Sequence, residues 1–484
     1  MSTTCTDVNL DAVLGPSLTE EQAREIYRQG EEAVVMALMT MAGRLGALQR
    51  PVPAPTTPSA MIPPYQKPPA KSSRKKPGAR QGHDGHRRPP PARIDQQREH
   101  RLPCCPHCQG RLKRCQQTRR RYIEDIPEGI TPVVTEHTIH RDWCPRCKKL
   151  VEPKVPDALP GATLGNRTVT MTAWMHYGLG NTLSQIVEVF NYHVQMKLTT
   201  GGLLHMWRRL QEALFPWYEQ IQAEALRSAV LHADETSWRV AGKTHWLWAF
   251  ANDDVTYYMI DRSRGEPALR KFFVEEFQGT LVSDFWGAYN AVVCATRQGC
   301  LVHLLRDLHT VDHYKKGGEH WPEFAKKLRR LVGDAIRLWR ATELSSESRQ
   351  SRRQRLDERL DELIATAWED SQARRLVKRL RRHRDDLFTF LDKPGVPFDN
   401  NLAERAVRPA VIIRKNSYAN RSQQGAEVQG VLMSIYRTLK QRGHNPLHTI
   451  TKALADYVTT GKLPPLSARS TSVQGDCAML GNLR

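Results

Sequence analysis

The spacing of apolar positions changes several times along this chain, and each change marks a different kind of element. Ile26, Val34, Leu38, Met41, Leu45 and Leu48 form an imperfect helical stripe within 17–49, opened by Ser17 and Glu20 as a capping box. From 50 to 102 the pattern stops. Prolines crowd 51–69 and 89–91, and a segment so poor in large aliphatic side chains is predicted to be a solvated linker. Helical spacing returns at 169–177, 183–190 and 202–226, giving a helical domain over 160–228 that could contact DNA.

Residues 229–311 read differently. Strands are predicted at 229–233, 244–251, 255–260, 279–283 and 300–304, with helices at 266–277 and 285–295. Three consecutive strands, then helix, strand, helix, strand is not a simple doubly wound repeat; it is the order of a ribonuclease H-like core. Residues 312–395 are helical again, with Leu356, Leu360, Leu363, Ile364 and Ala367 on one face. The core resumes over 396–440, where Val428, Leu432, Ile435 and Leu439 form a stripe, and 441–484 is a C-terminal tail. The expected fold is therefore multidomain α+β. A ribonuclease H-like core is interrupted by an all-helical insertion, and it follows an N-terminal helix, a basic linker, a cysteine-rich module at 103–155 and a helical domain.

Charge narrows the choice of partner. Among 484 residues, 72 Lys and Arg against 51 Asp and Glu leave a formal charge of +21. Such an excess favours a polyanion, most commonly nucleic acid. The linker concentrates it: eight basic residues and one acid lie between Lys71 and Arg93, among them Lys75, Lys76, Arg80, Arg87 and Arg88. A basic arm of this kind lies along phosphates and releases counterions. A second basic run joins Arg374, Arg375, Lys378, Arg379, Arg381, Arg382 and Arg384, read either as a solvated helix surface or as a DNA-backbone track. No apolar run approaches the roughly 18–20 residues that span a bilayer, and no secretory leader is read at the N-terminus.

Six of the ten cysteines fall between Cys104 and Cys147. Cys105-Pro-His-Cys108 and Cys144-Pro-Arg-Cys147 are two CxxC knuckles separated by 35 residues. Two such turns supply the four sulfurs of a closed, structural zinc site, with Cys104 and Cys115 as spectators. A β-hairpin of 122–126 and 131–140 is predicted to bring the knuckles together.

Metal-assisted phosphoryl transfer needs carboxylates converging from element ends, because hard cations take oxygen ligands. Asp234 stands just after the first predicted core strand and Asp284 just after the fourth. Glu404 lies in the first turn of a helix that Asn401 can cap, which also makes it a capping-box residue. The spacing of 120 positions between Asp284 and Glu404 accommodates the helical insertion. Asp253 and Asp254 read as turn residues, Asp261 and Asp399 as rivals, and Glu235 as facing away from Asp234 on the same strand.

These residues sit in blocks that resemble the insertion sequence 66 transposase family. The blocks are Leu231-His-Ala-Asp234-Glu-Thr-Ser-Trp238-Arg-Val, Val282-Ser-Asp284-Phe-Trp-Gly-Ala-Tyr289 and Asp399-Asn-Asn-Leu-Ala-Glu404-Arg405-Ala-Val-Arg408-Pro409. Gly78-Ala-Arg-Gln-Gly82-His83-Asp-Gly85-His86, the paired knuckles, Arg414-Lys415-Asn416 and Gly443-His-Asn-Pro446 extend the likeness over about residues 20–460 in family order. Cys300-Leu-Val-His303 resembles a Cys/Asp-x-x-His signature that follows the second Asp in several families with Asp-Asp-Glu sites. The family's leucine zipper is weak here, and Pro-rich sequence replaces the Ser/Asn-rich stretch that usually follows it.

The resemblance implies an Asp-Asp-Glu active site of Asp234, Asp284 and Glu404 holding Mg²⁺ (or Mn²⁺). It implies phosphate contacts from Arg405, Arg408, Arg414 and Lys415 beside the third acid, and a zinc finger of Cys105, Cys108, Cys144 and Cys147. The partners it implies are element-end and target DNA, a second copy of the chain on that DNA and accessory transposition proteins, in a cytoplasmic, nucleoid-associated bacterial setting with no membrane. Two other readings stay open at this level: a zinc-dependent DNA-binding protein without catalysis, and a metal-dependent nuclease on the same core.

Overall fold

The computed structural model describes residues 20–28, 93–112 and 129–470 apart from 315, with a few positions between 30 and 39, at 91 and between 120 and 123. Ser17, Cys115, the tail beyond 470 and the basic arm to residue 90, with Lys75, Lys76, Arg80, Arg87 and Arg88, lie outside the described residues. Of the predicted N-terminal helix, Glu20–Arg28 is helix α1.

The cysteine-rich module contains one hairpin, β1 (Asp142–Cys144) against β2 (Lys149–Val151), antiparallel with Cys144 opposite Lys149. The helical stretch that follows is close to expectation. Helix α2 (Asn166–Ala173) runs on as a π-helical turn to Gly178, α3 (Leu183–Glu188) starts in a capping box of Thr182 and Gln185, and α4 spans Thr200–Leu226.

Strands β3 (Val230–Val240), β4 (Lys243–Ala251) and β5 (Thr256–Asp261) follow. Ala241 and Gly242 both take left-handed backbone, φ +48° and +76°, as a two-residue type I′ hairpin turn requires. Then come α5 (Glu266–Phe272), β6 (Phe277–Ser283), a 3₁₀ turn at Gly287–Ala291 and β7 (Cys294–Gly299). The sheet order is β5-β4-β3-β6-β7, with β4–β5 antiparallel and β6–β7 parallel, so the sheet is mixed. Helices α6 (Leu301–His313), α7 (Trp321–Arg340), α8 (Ser346–Ala365), α9 (Ser371–Arg382) and α10 (Thr389–Asp392) fill the predicted insertion. The chain closes with α11 (Asn401–Ser417), α12 (Gln423–Gln441) and α13 (Pro446–Thr460).

By packing, the chain divides into two units. The unit of Pro68–Asp234, Trp238–Arg264 and Asn401–Arg484 is built on α12. Val428, Leu432, Ile435 and Leu439 are buried as the stripe predicts. Ser434 and Thr438 reach from α12 to the backbone of β5, accepting from Tyr258 N–H at 2.8 Å and Thr256 N–H at 3.1 Å. At Gly430 the helix comes so near that a Cβ would stand 3.1 Å from the Tyr258 carbonyl, so a larger residue would push the strand away. Buried Arg442 binds Asp254 at 2.7 Å and also Glu224. Asn252 Oδ1 accepts from the Asp254 and Val255 amides, so Asp253 and Asp254 are turn residues as read.

The other unit contains Glu235–Ser237 and Gly265–Asn400. Leu356, Leu360 and Leu363 are buried on α8, whereas Ala367 is exposed beyond the helix end. Gln298 on β7 is buried; its amide donates to the Leu387 carbonyl at 3.1 Å and accepts from Phe390 N–H at 2.8 Å.

Four predicted elements are corrected. The segment 300–304 is the start of α6, not a strand: Leu301, Leu304, Leu308 and Val311 are buried at helical spacing. The last strand is instead β7, a polar edge strand. The helix expected at 285–295 is one 3₁₀ turn. Strand β3 does not stop at Ala233 but runs to Val240. The hairpin expected at 122–126 and 131–140 does not form across 131–140, which is irregular; the hairpin lies later, around the second knuckle.

Candidate active site

Asp234 lies inside β3, half-buried, rather than just after a strand. Its neighbour Glu235 is buried, and Glu235 Oε2 accepts a hydrogen bond from the Tyr289 hydroxyl at 2.6 Å. Tyr289 sits in the 3₁₀ turn that follows Asp284, and it too is buried. Sequence reasoning set Glu235 aside for facing away from Asp234; Tyr289 closed one of the quoted blocks but had no role.

Asp284 immediately follows β6 as expected and is half-buried. Its Oδ1 accepts from Trp286 N–H at 2.8 Å, a local Asx turn that ends the strand and starts the 3₁₀ segment. Asp261 Oδ1 makes a similar turn with Ser263 N–H at 2.7 Å. Glu404 is half-buried in the first turn of α11. Asn401 is the first residue of that helix, and Asn400, which precedes it, is buried.

Helix α11 is fixed at both ends of its run. Pro409 lies inside it and cannot donate to the ladder. One turn earlier, the buried Tyr258 hydroxyl donates to the Ala406 carbonyl at 2.6 Å and ties the helix to β5. Beyond the helix, Asn416 Nδ2 donates to the Gly180 carbonyl at 3.0 Å. Asn420 then pairs with β3, the strand of Asp234. Its N–H donates to the Arg239 carbonyl, its carbonyl accepts from Ala241 N–H, each at 3.0 Å, and its Oδ1 accepts from Trp238 Nε1 at 2.7 Å.

Cys300 caps α6 from a buried position, and its Sγ accepts from Asn400 N–H at 3.2 Å. Leu301 N–H donates to the Phe398 carbonyl at 2.9 Å. Burial, and then the charges of Arg306 and Arg379, push His303 down to about 3, so its imidazole is neutral. Asp307, one turn further, is buried and paired with Arg379 and Arg375; burial pushes its carboxyl up despite both cations.

The basic run of α9 therefore splits. Arg375 and Arg379 serve Asp307, Arg384 binds Asp361 at 2.8 Å, and Arg374, Lys378, Arg381 and Arg382 are exposed. On α11, Arg405, Arg408 and Lys415 are exposed, while Arg414 is half-buried and burial lowers its pKa.

The two CxxC turns share one backbone pattern. The residue after the second cysteine is left-handed in each, Gln109 at φ +59° and Lys148 at φ +50°. Cys147 N–H donates to Cys144 Sγ at 3.4 Å. Backbone N–H groups, chiefly those of Cys108 and Cys147, lower the Cys105 and Cys144 thiol pKa values. Each turn thus carries two sulfur donors, one of which, Cys105 or Cys144, is biased toward thiolate, a chemistry that fits zinc. Among the described residues, no three His, Cys, Asp or Glu side chains are gathered closely enough to hold a metal ion. Among the described residues, no helix is long and apolar enough to cross a membrane.

Comparison with known proteins places these features. An uncharacterized protein of Sinorhizobium fredii, y4qI, is 25% identical over 259 residues, covering 46% of this chain and 46% of its own length. The chain thus spans about half of that relative. Two further uncharacterized proteins of the same organism match over more: y4hP at 22% identity, covering 74% of this chain and 71% of its own, and y4jD at 25%, covering 73% and 75%. The family model described as Transposase IS66 family matches residues 161–428, a span that includes Asp234, Asp284 and Glu404. The chain belongs to the IS66 transposase family.

Proposed function

We propose that the chain is a DNA transposase that binds the ends of its element, cleaves phosphodiesters and transfers 3′ ends to target DNA, with Asp234, Asp284 and Glu404 as catalytic carboxylates. The observation that carries this reading is the family match over 161–428, which spans all three acids in order. The ribonuclease H-like reading of the core is part of the same proposal, supported by a mixed sheet and by helices between β7 and α11.

The donor set is three half-buried carboxylates, the oxygen chemistry that Mg²⁺ or Mn²⁺ takes. Asp234, Asp284 and Glu404 would hold divalent cations, which would supply charge neutralisation at the scissile phosphate and lower the pKa of the attacking hydroxyl. Arg405, Arg408, Arg414 and Lys415 hold phosphates by charge-assisted hydrogen bonds. The buried Glu235 and Tyr289, next in sequence to Asp234 and in the turn after Asp284, are positioning residues in this reading. No Ser or Tyr nucleophile is needed, because the freed 3′ hydroxyl attacks the target directly.

The zinc finger of Cys105, Cys108, Cys144 and Cys147 is a structural element of this reading, and the basic arm with Lys75, Lys76, Arg80, Arg87 and Arg88 is a backbone contact. Joining two ends to one target needs two strand transfers, so the working form is at least a dimer on DNA, with accessory transposition proteins as further partners. Its setting is the bacterial cytoplasm, on the nucleoid.

The test is a strand-transfer assay on a donor plasmid carrying the gene with its native flanks. Asp234→Asn, Asp284→Asn and Glu404→Gln should each abolish cleavage with Mg²⁺ while retaining DNA binding. A variant that cleaves at the wild-type rate removes that acid from the site. Ends that are cleaved but never joined favour the nuclease, and a wild-type chain that binds DNA without cleaving it favours the non-catalytic binder.

A further inference from the structure

We propose that Tyr418 is a stacking platform for an unpaired DNA base. The inference rests on the DNA-binding reading above and adds which part of the DNA this segment meets.

Helix α11 ends at Ser417, and Tyr418 N–H still donates to the Arg414 carbonyl at 3.0 Å. Tyr418 and Ala419 then both take left-handed backbone, φ +56° and +72°. That conformation crowds Cβ against the carbonyl and is one that glycine or asparagine relaxes into. Two successive residues with ordinary side chains hold it only where their surroundings over-determine it. Asn420 does so. It is bonded through both backbone groups to β3, through Oδ1 to the fully buried Trp238, and through Nδ2 to the Gly425 carbonyl at 3.1 Å.

This rigid mount presents an aromatic ring to solvent: Tyr418 is 87% exposed. Exposed Lys415 and Arg421 stand three positions to either side. From Arg405 to Ala426 there are five basic residues and no carboxylate. The residues that flank Tyr418 in sequence, Lys415, Asn416, Arg421, Ser422 and Gln423, are polar or charged, which favours a polyanion over an apolar protein partner. Cations that hold a backbone beside an aromatic face that takes a base are the parts of a single-strand site. Bases inside a duplex have both faces covered, so the fitting ligand is a frayed, flipped or single-stranded base, such as a DNA end offers once it is opened.

The full chain is titrated with three mixed-sequence probes: a single strand, a blunt duplex, and a duplex with a short overhang carrying a fluorescent adenine analogue. Tyr418→Ala should weaken the single strand and the overhang roughly 10-fold, the size of one stacking contact, while duplex binding shifts by less than about twofold. Tyr418→Phe and Tyr418→Trp should keep the binding and still quench the analogue. Tyr418→Gly separates this role from a structural one: it relieves the left-handed strain, so it should raise the melting temperature and yet lose the same single-strand affinity. Equal losses on all three probes, or none, would overturn the proposal. A wild-type chain that binds none of them at low salt sinks the DNA-binding reading itself.

Discussion

The Tyr289 hydroxyl donates to Glu235 Oε2 at 2.6 Å with both side chains buried, which ties the turn after Asp284 to the strand of Asp234 through the residue beside it. Removing one partner of a buried bond deprives the other of a hydrogen bond where water does not replace it. Tyr289→Phe should therefore destabilise the fold by about 1–3 kcal/mol, measured by urea unfolding. Glu235→Gln keeps an acceptor for the hydroxyl and should lose less. An unchanged unfolding midpoint in Tyr289→Phe would show that the bond carries no net weight.

A second prediction concerns acid. His303 is held at about 3 in the folded chain against an ordinary 6.5. Between those values the unfolded chain binds a proton there that the folded chain refuses. The stability from His303 is thus fully present above pH 6.5 and is lost as pH falls toward 3, with a limiting slope of about 1.4 kcal/mol per pH unit. Asp307 has the opposite sign: its carboxyl is raised, so its contribution favours the folded state in acid and fades as pH rises through that raised value. His303→Gln should flatten the acid limb of the stability profile. An identical limb would mean that the imidazole titrates normally.

Metal analysis of purified protein should find one zinc per chain. Cys105→Ser and Cys144→Ser should each release it, because they remove the thiols most biased toward thiolate. Cys104→Ser and Cys115→Ser should retain it. Retention of full zinc by Cys144→Ser would disprove the four-thiolate set.

The basic run on α9 should divide into two behaviours. Neutralising the exposed Arg374, Lys378 and Arg382 should leave stability within error and lower the salt slope of DNA binding by roughly 0.9 per lost phosphate contact. Arg379→Ala leaves the buried Asp307 carboxylate with the longer 3.8 Å contact to Arg375 and should cost about 1–3 kcal/mol of stability. Equal effects on stability from both sets would erase the distinction between outward and inward cations.

How legible these features were depended on where their hydrogen bonds go. The α12 stripe was plain because burial alone decides it, and Val428, Leu432, Ile435 and Leu439 are all buried. Strand β7 was hidden because Cys294-Ala-Thr-Arg-Gln-Gly299 carries little hydrophobic signal; its pairing with β6 and the Gln298 contacts come from residues far away in sequence. The apolar run at Cys300 looked like a strand because five residues cannot separate a helical period from a short buried strand. The three acids were legible as members of sequence blocks. The Tyr289 and Asn420 contacts were not, because side-chain bonds across 54 and 182 positions leave no local pattern.

The bonds that join Leu301 to Phe398 and Cys300 to Asn400 also govern how freely this chain can change in length. They bring the start and finish of the helical excursion to one place. Everything between them is a closed detour, and the helix of Glu404 begins at the next residue after Asn400 whatever the detour contains. The helices between them can therefore vary in length while the two ends stay joined, provided that Arg375 and Arg379 still reach Asp307 and that Leu387 and Phe390 still meet Gln298.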